Sequence, residues 1–233
     1  MSTTRTAYWR GVRASVPFLV MAVPFGMLFG AVATESGLDM VQTMAMTMIV
    51  VAGASQFSAV QVLSDGAPFY IAVLTGIAVN MRMMMYSASL APHLGKALKW
   101  HRVLAAYFMI DQTYGISIQT FERKPDMPTR DKLAYFFGSA TLMFPLWYAS
   151  TYVGIIAGAA IPPAYSIDFA VPVMFIALVA PSLRSIPHLA AAVVSVVVSL
   201  LLAWIPYNLW LIIAAVLAMM TGAELERRIG GKA

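Results

Sequence analysis

The sequence predicts an all-α integral membrane protein: a polytopic helical bundle of about seven to eight transmembrane helices, some of them broken. Three observations carry this. Of 233 residues, 61% are hydrophobic and only 11% charged, against roughly 25% charged in a soluble domain, and the mean hydropathy is +0.79. Apolar segments of about 20 residues recur along the whole chain, the length needed to cross a hydrocarbon core of about 30 Å. No strand-length alternation appears, and only helices or closed barrels satisfy their backbone in lipid. No shift in composition marks a second unit, so residues 1–233 read as one transmembrane domain.

The spans fall over 14–33, 40–63, 67–92, 102–121, 133–159, 167–183, 186–204 and 208–223. The first follows Arg5, Arg10 and Arg13 and contains Ala31-Val32-Ala33, which looks like a signal-peptide cleavage site. Its length and its internal Pro17, Pro24, Gly26 and Gly30 favour a retained helix instead. The connections are short, and the one distinctly hydrophilic loop runs from Glu122 to Lys132.

Loop charge sets the orientation. With eight spans and both termini in the cytoplasm, that side collects Arg5, Arg10, Arg13, Arg123, Lys124, Arg130, Lys132, Arg184, Arg227, Arg228 and Lys232. The outside collects Lys96, Lys99 and Arg102, a basic cluster that runs against the rule, beside Glu35, Asp39 and Asp168. A re-entrant hairpin in place of one broken span would invert the middle. The surplus of Lys and Arg flanks membrane segments and does not indicate nucleic-acid binding. The absence of cysteine excludes disulfides, thiolate metal sites and Cys nucleophiles.

The halves rhyme loosely: Pro24 in span one with Pro145 in span five, and Ser55-Gln-Phe-Ser-Ala-Val with Ser166-Ile-Asp-Phe-Ala-Val. That admits an inverted repeat, a common transporter design.

Polar residues inside apolar spans are the functional candidates. Gly53-Ala54-Ser55-Gln56 interrupts span two. It reads either as a small-residue helix contact or as a helix break whose restarting N-terminus offers free N–H groups to an anion. Asn80 and Arg82 lie deep in span three. An arginine there costs about 2.5–3.5 kcal/mol on insertion scales, so it needs a partner, a cavity or a route to the interface. Asp111 lies near the middle of span four, either as a structural ion-pair partner, plausibly of Arg82, or as a proton carrier or acceptor for a substrate ammonium. The Met81, Met83, Met84 and Met85 cluster suits irregular packing. Tyr8, Trp9, Trp100, Trp147, Trp204, Tyr207 and Trp210 read as interfacial anchors. His93, His101 and His188 sit near span ends, with no metal-site spacing. No residue points to a cofactor.

Taken in order, Val23-Pro24-Phe25-Gly26 with Phe29-Gly30, Ala52-Gly53-Ala54-Ser55-Gln56-Phe57, Val79-Asn80-Met81-Arg82 through Tyr86, Ser89-Leu90-Ala91-Pro92 and Asp111-Gln112 resemble the AzlC-like family. The second half resembles it mainly in length, hydropathy and the region from Asp168 to Pro172. The resemblance implies a large subunit of a bacterial inner-membrane exporter of valine, leucine, isoleucine and sometimes methionine. It also implies proton-driven export and a small AzlD-like membrane partner. The sequence holds no match to GxxxxGK[ST], which fits a secondary carrier.

A zwitterion with an aliphatic tail needs a positive site, a negative site and a dry pocket. The expected substrate set is Gly53, Ser55 and Gln56 at the break for the carboxylate, with Asn80 or Arg82, and Phe57 against the tail. Asp111 takes the ammonium or the coupling proton. An enzyme is not expected: no histidine lies deep in a span, and Glu35, Glu122, Glu224 and Glu226 lie at ends or in loops. A channel or a structural subunit is the remaining rival.

Overall fold

A computed structural model describes residues 4–160, 183, 185–205 and 210–230. The predicted span over 167–183 and the Asp168 to Pro172 region lie outside the described residues, apart from Leu183. Among the described residues the chain is α-helical throughout, without strands.

The elements are α1 (Thr4–Glu35), α2 (Met40–Ile49), α3 (Gly53–Ser64), α4 (Phe69–Asn80), α5 (Arg82–Leu94), α6 (Lys99–Tyr107), α7 (Asp111–Arg123), α8 (Thr129–Ala160), α9 (Ile186–Leu202) and α10 (Trp210–Gly230). Among the described residues, three stretches are long and apolar enough to cross a membrane: α1, the joined α4–α5 stretch Phe69–Leu94, and α8. The outward surface is apolar. Val20, Val41, Ile49, Phe69, Leu200 and Trp204 are each more than 70% exposed, as lipid-facing side chains are. Ser15, Thr43, Thr47, Ser55, Gln56, Thr113, Ser117, Ser139 and Thr151 are fully buried instead. Small and hydroxylated residues let helices approach closely where lipid gives no hydrophobic drive.

The frame is the pair α1 and α8. They run parallel: Gly138 meets the Tyr8 carbonyl, Gly154 the Met27 carbonyl and Gly158 Ala31. A methyl group added at Gly30 or Gly154 would strike the backbone of the other helix.

Segments 40–63 and 102–121, expected as crossings, are folded back on themselves. The chain leaves α1, turns through Gly37 in the left-handed region (φ +85°) and starts α2 beneath an Asp39 cap. Helix α2 stops at Ile49, residues 50–52 are non-helical, and α3 begins at Gly53. Gln56 Nε2 donates to Thr47 Oγ1 at 3.0 Å. Nine residues of unbroken helix would separate those positions by about 13 Å. Met46 packs on the clusters holding Val60 and, farther along α3, Ala59 and Val62. Helix α3 therefore returns alongside α2 and runs parallel to α1, with Gly53 at Phe25 and Val60 beside Phe29, Val32 and Ala33.

Helix α4 descends antiparallel to α3, and Ser55 Oγ donates to the Gly76 carbonyl at 2.8 Å. At Met81 the ladder tightens to i→i+3 bonds, Met81 N to Ala78 O and Met84 N to Met81 O, with Met81 still in right-handed helical geometry. Span three is thus interrupted by only one tight turn. Helix α5 ends near Lys132, whose ammonium lies 3.4 Å from His93 Nδ1.

Helix α6 climbs from that end to Tyr107, residues 108–110 are extended or turned, and α7 restarts at Asp111 and returns. Tyr86 meets Asp111 and Tyr114, and His93 meets Phe121, so α5 and α7 run parallel. A long helix followed by a returning hairpin thus occurs twice in residues 4–123, in opposite senses. The repeat suggested between spans one and five does not take that form, because α1 and α8 are parallel. Helices α9 and α10 pack on each other antiparallel, Gly222 facing Ala191 and Pro187.

Candidate functional site

The tips of the two hairpins, entering from opposite ends, meet at a cavity of about 70 Å³ halfway along α1 and α8. The first tip contributes Val51 to Ala54, the second Ile110 to Gln112. Arg82 and Met83, just past the tight turn, form a third wall, and Phe25, Phe144 and Trp147 from α1 and α8 form the rest.

Each tip is built by its sequence. Ala52 is extended (φ −148°, ψ 90°) and provides no side-chain cap, so the first N–H groups of α3 have no side chain of that residue to bind them. Gly53 is required by crowding: a Cβ there would press on the Phe25 ring and lie 3.0 Å from Trp147. The second tip is held by fully buried Thr113, whose Oγ1 accepts from Ile110 N at 2.9 Å and lies within donating distance of the Phe108 and Ile110 carbonyls. Asp111 is the first residue of α7, where the partial positive charge of a helix start favours a carboxylate.

The charged pair sits at the tips' junction. Arg82 Nη2 lies 3.0 Å from Asp111 Oδ2, with side chains 32% and 41% exposed. Tyr86 donates to Asp111 Oδ1 at 3.0 Å. The Tyr86 ring stacks on Tyr114 at 4.0 Å and 9°, and Tyr114 donates to Ser89. Tyr86, stacked on Tyr114, thus fixes one carboxylate oxygen, and the other faces Arg82 at the cavity. Arg82 Nε and Trp147 Nε1 are buried donors without a partner among the described residues. One cavity therefore offers a cation, an anion and spare donors within mostly apolar walls. That set matches a small zwitterion.

Of the residues expected from sequence, the structure brings Gly53, Arg82 and Asp111 together here. Ser55, Gln56, Phe57 and Asn80 lie elsewhere. Ser55 bonds Gly76, and with Asn80 it lines a separate open cleft between α2, α3 and α4. Gln56 faces Thr47 inside the first hairpin. Phe57 stacks in the α1–α3 core at 5.1 Å from Phe25 and 5.4 Å from Phe29. Helical periodicity explains this: once α3 starts at Gly53, Ser55 and Gln56 leave it on other faces, toward α4 and α2, and Phe57 lies one turn farther along the Gly53 face, past the cavity. Trp147, read as an interfacial anchor, is instead buried at 9% exposure against the cavity. The second break was not foreseen, although its signal is present: an acid in the first turn, with Thr113 placed to bond the residue before it.

The AzlC protein family model matches residues 17–161, over half the chain. This chain belongs to the AzlC family. It is 28% identical over 197 residues to an uncharacterized membrane protein of Archaeoglobus fulgidus, covering 82% of this chain and 83% of that protein. It is 25% identical over 183 residues to the inner membrane protein YgaZ of Escherichia coli, covering 76% and 74%. An uncharacterized membrane protein of Helicobacter pylori is 26% identical over 144 residues, covering 62% and 61%. No solved structure matches. The match takes in both hairpins and every residue lining the cavity.

Proposed function

We propose that this AzlC-family chain is a secondary transporter of the inner membrane that exports branched-chain amino acids, valine, leucine and isoleucine with methionine as a further substrate. It works as the large subunit beside a small AzlD-like membrane protein and is driven by protons. The observation that carries this reading is the Arg82–Asp111 pair, half exposed to a cavity closed from opposite ends by two hairpin tips. In the bound state Arg82 takes the substrate carboxylate, with the free N–H groups at Gly53 and Ala54. Asp111 takes the ammonium. Met21, Phe25, Met143 and Phe144 surround the tail. The substrate replaces each partner of the ion pair by an equivalent charge, so neither is left bare in a dry site. When the site empties, Asp111 exchanges its role for proton carriage.

The cavity is smaller than the roughly 300–1,000 Å³ of ligand pockets. It fits a closed state that opens when one hairpin withdraws. Discrimination by one methylene is worth about 1–3 kcal/mol, so selectivity among aliphatic side chains is broad.

The hairpins also support a topology. Lys96, Ala97, Leu98, His101, Thr129 and Arg130 line one pocket with Thr4. The cluster Lys96, Lys99 and Arg102 thus joins Arg5, Arg10, Arg13, Arg123, Lys124, Arg130 and Lys132 at one end, while Glu35, Asp39 and Asp65 occupy the other. The basic end is cytoplasmic. With the sequence-predicted span over 167–183 and with α9 and α10 as crossings, the chain crosses six times rather than seven or eight, and both termini are cytoplasmic.

The test is counterflow of labelled leucine in proteoliposomes, with and without the small partner. Arg82→Gln and Asp111→Asn are expected to abolish uptake. Full uptake by both variants overturns the reading.

A further inference from the structure

Helices α5 and α6 are consecutive, joined by residues 95–98, yet they stand apart around a cleft of about 540 Å³. Its floor is apolar: Leu90 and Leu94 from α5, Ala105 from α6 and Met109 from the turn that follows it, all buried. Lys99 and Arg102 line the same cleft at the end where α6 begins. The run from Gly95 to Ile110 contains no acidic residue, and Lys96, Lys99 and Arg102 make no ion pair among the described residues. Helix α6 starts without a side-chain cap and with no acid in its first turn, so its partial positive charge adds to that of the side chains instead of offsetting it. Trp100, 58% exposed in the same turn, marks the depth at which indoles sit in the interface.

We propose that this cleft binds an anionic phospholipid. Its phosphate lies between Lys99 and Arg102, and one acyl chain runs along Leu90, Leu94 and Met109. Charge complementarity selects the headgroup, since basic pockets between helices on the cytoplasmic side suit anionic lipids. The depth of the apolar floor selects a lipid over a free anion. The chain's far end reaches Met109, two residues from Asp111, so the lipid props the arm of the second hairpin. This site is independent of which solute the central cavity carries.

The experiment is native mass spectrometry of the full chain released from micelles doped with equal phosphatidylglycerol and phosphatidylcholine. Wild type is expected to retain phosphatidylglycerol about tenfold over phosphatidylcholine, equivalent to about 1.4 kcal/mol. The Lys99→Gln/Arg102→Gln variant is expected to lose that preference, and Arg123→Gln/Lys124→Gln, which removes as much charge from the neighbouring loop, to keep it. Ala106→Trp, which fills the cleft and leaves both charges, is expected to reduce retention of either lipid. Equal retention of the two lipids by wild type overturns the proposal. So does an equal loss in the loop variant, displacement by millimolar inorganic phosphate, or unchanged retention in Ala106→Trp.

Discussion

The Tyr107 hydroxyl donates to the Met48 carbonyl at 2.6 Å, joining the tip of one hairpin to the tip of the other. Tyr107 is the last residue of α6, and Met48 lies in the last turn of α2. The carbonyls there have no partner inside their own helix, so the phenol serves as a cap supplied across the junction. Tyr148 of α8 lies 3.0 Å from the same hydroxyl and ties both tips to the frame.

Removing this hydroxyl is expected to loosen the closed site without unfolding the bundle. An intramolecular hydrogen bond contributes about 0.5–1.5 kcal/mol net, which shifts a closed-to-open ratio by roughly two- to tenfold. The chain has no cysteine, so Ala52→Cys reports tip opening against a silent background. Ala52 is buried and lines the cavity. Tyr107→Phe is expected to speed maleimide labelling of that cysteine several-fold, and an unchanged rate would show that the bond does not hold the tips closed.

The Arg82–Asp111 pair is expected to show strong energetic coupling. Removing one member of a buried pair costs about 3–5 kcal/mol, and the partial exposure here lowers this to about 1–3 kcal/mol. In thermal unfolding, the double variant Arg82→Gln/Asp111→Asn should be destabilised by less than the sum of the two single variants. A coupling energy under about 0.5 kcal/mol, the scatter of independent sites, would mean that the pair is solvated in the working protein.

The hairpins make a topological prediction that hydropathy alone does not. Single cysteines at Ala97 and Asp126 are expected to react only from the cytoplasmic face, and those at Asp39 and Asp65 only from outside. The eight-crossing arrangement puts Ala97 outside, so labelling of Ala97→Cys by an impermeant reagent in intact cells would restore that arrangement and remove the hairpins.

The sequence revealed the helical class and pointed to three positions, Gly53, Arg82 and Asp111, that line one cavity, because a glycine break, a cation and an anion are conspicuous among apolar neighbours. It did not reveal direction. A segment that crosses and one that turns back at mid-depth have the same hydropathy, and only the packing of Met46 on Val60 or of Thr47 on Gln56 distinguishes them. The misplaced cluster Lys96, Lys99 and Arg102 was the sign in the sequence that an apolar segment before it turns back. Ser55, Gln56 and Phe57 were assigned by proximity in sequence to the break. Their helical phase turns them into the hairpin and core, while Phe25 and Trp147 reach the cavity from helices far away in the chain.

Two glycines in the hairpins separate a packing requirement from a helical preference. At Gly53 an added methyl meets the Phe25 and Trp147 rings, whereas at Gly115, inside α7, nothing lies within 4 Å. Overfilling a packed site costs about 1–3 kcal/mol, and replacing glycine by alanine inside a helix gains up to about 1 kcal/mol. Gly53→Ala is therefore expected to lower the unfolding temperature and abolish leucine counterflow, since the tip must shift to admit the methyl and the cavity wall shifts with it. Gly115→Ala is expected to raise the unfolding temperature slightly and leave counterflow intact. If Gly53→Ala transports normally, α3 does not approach α1 and α8 closely in the active protein, and the cavity between the two tips loses one of its walls.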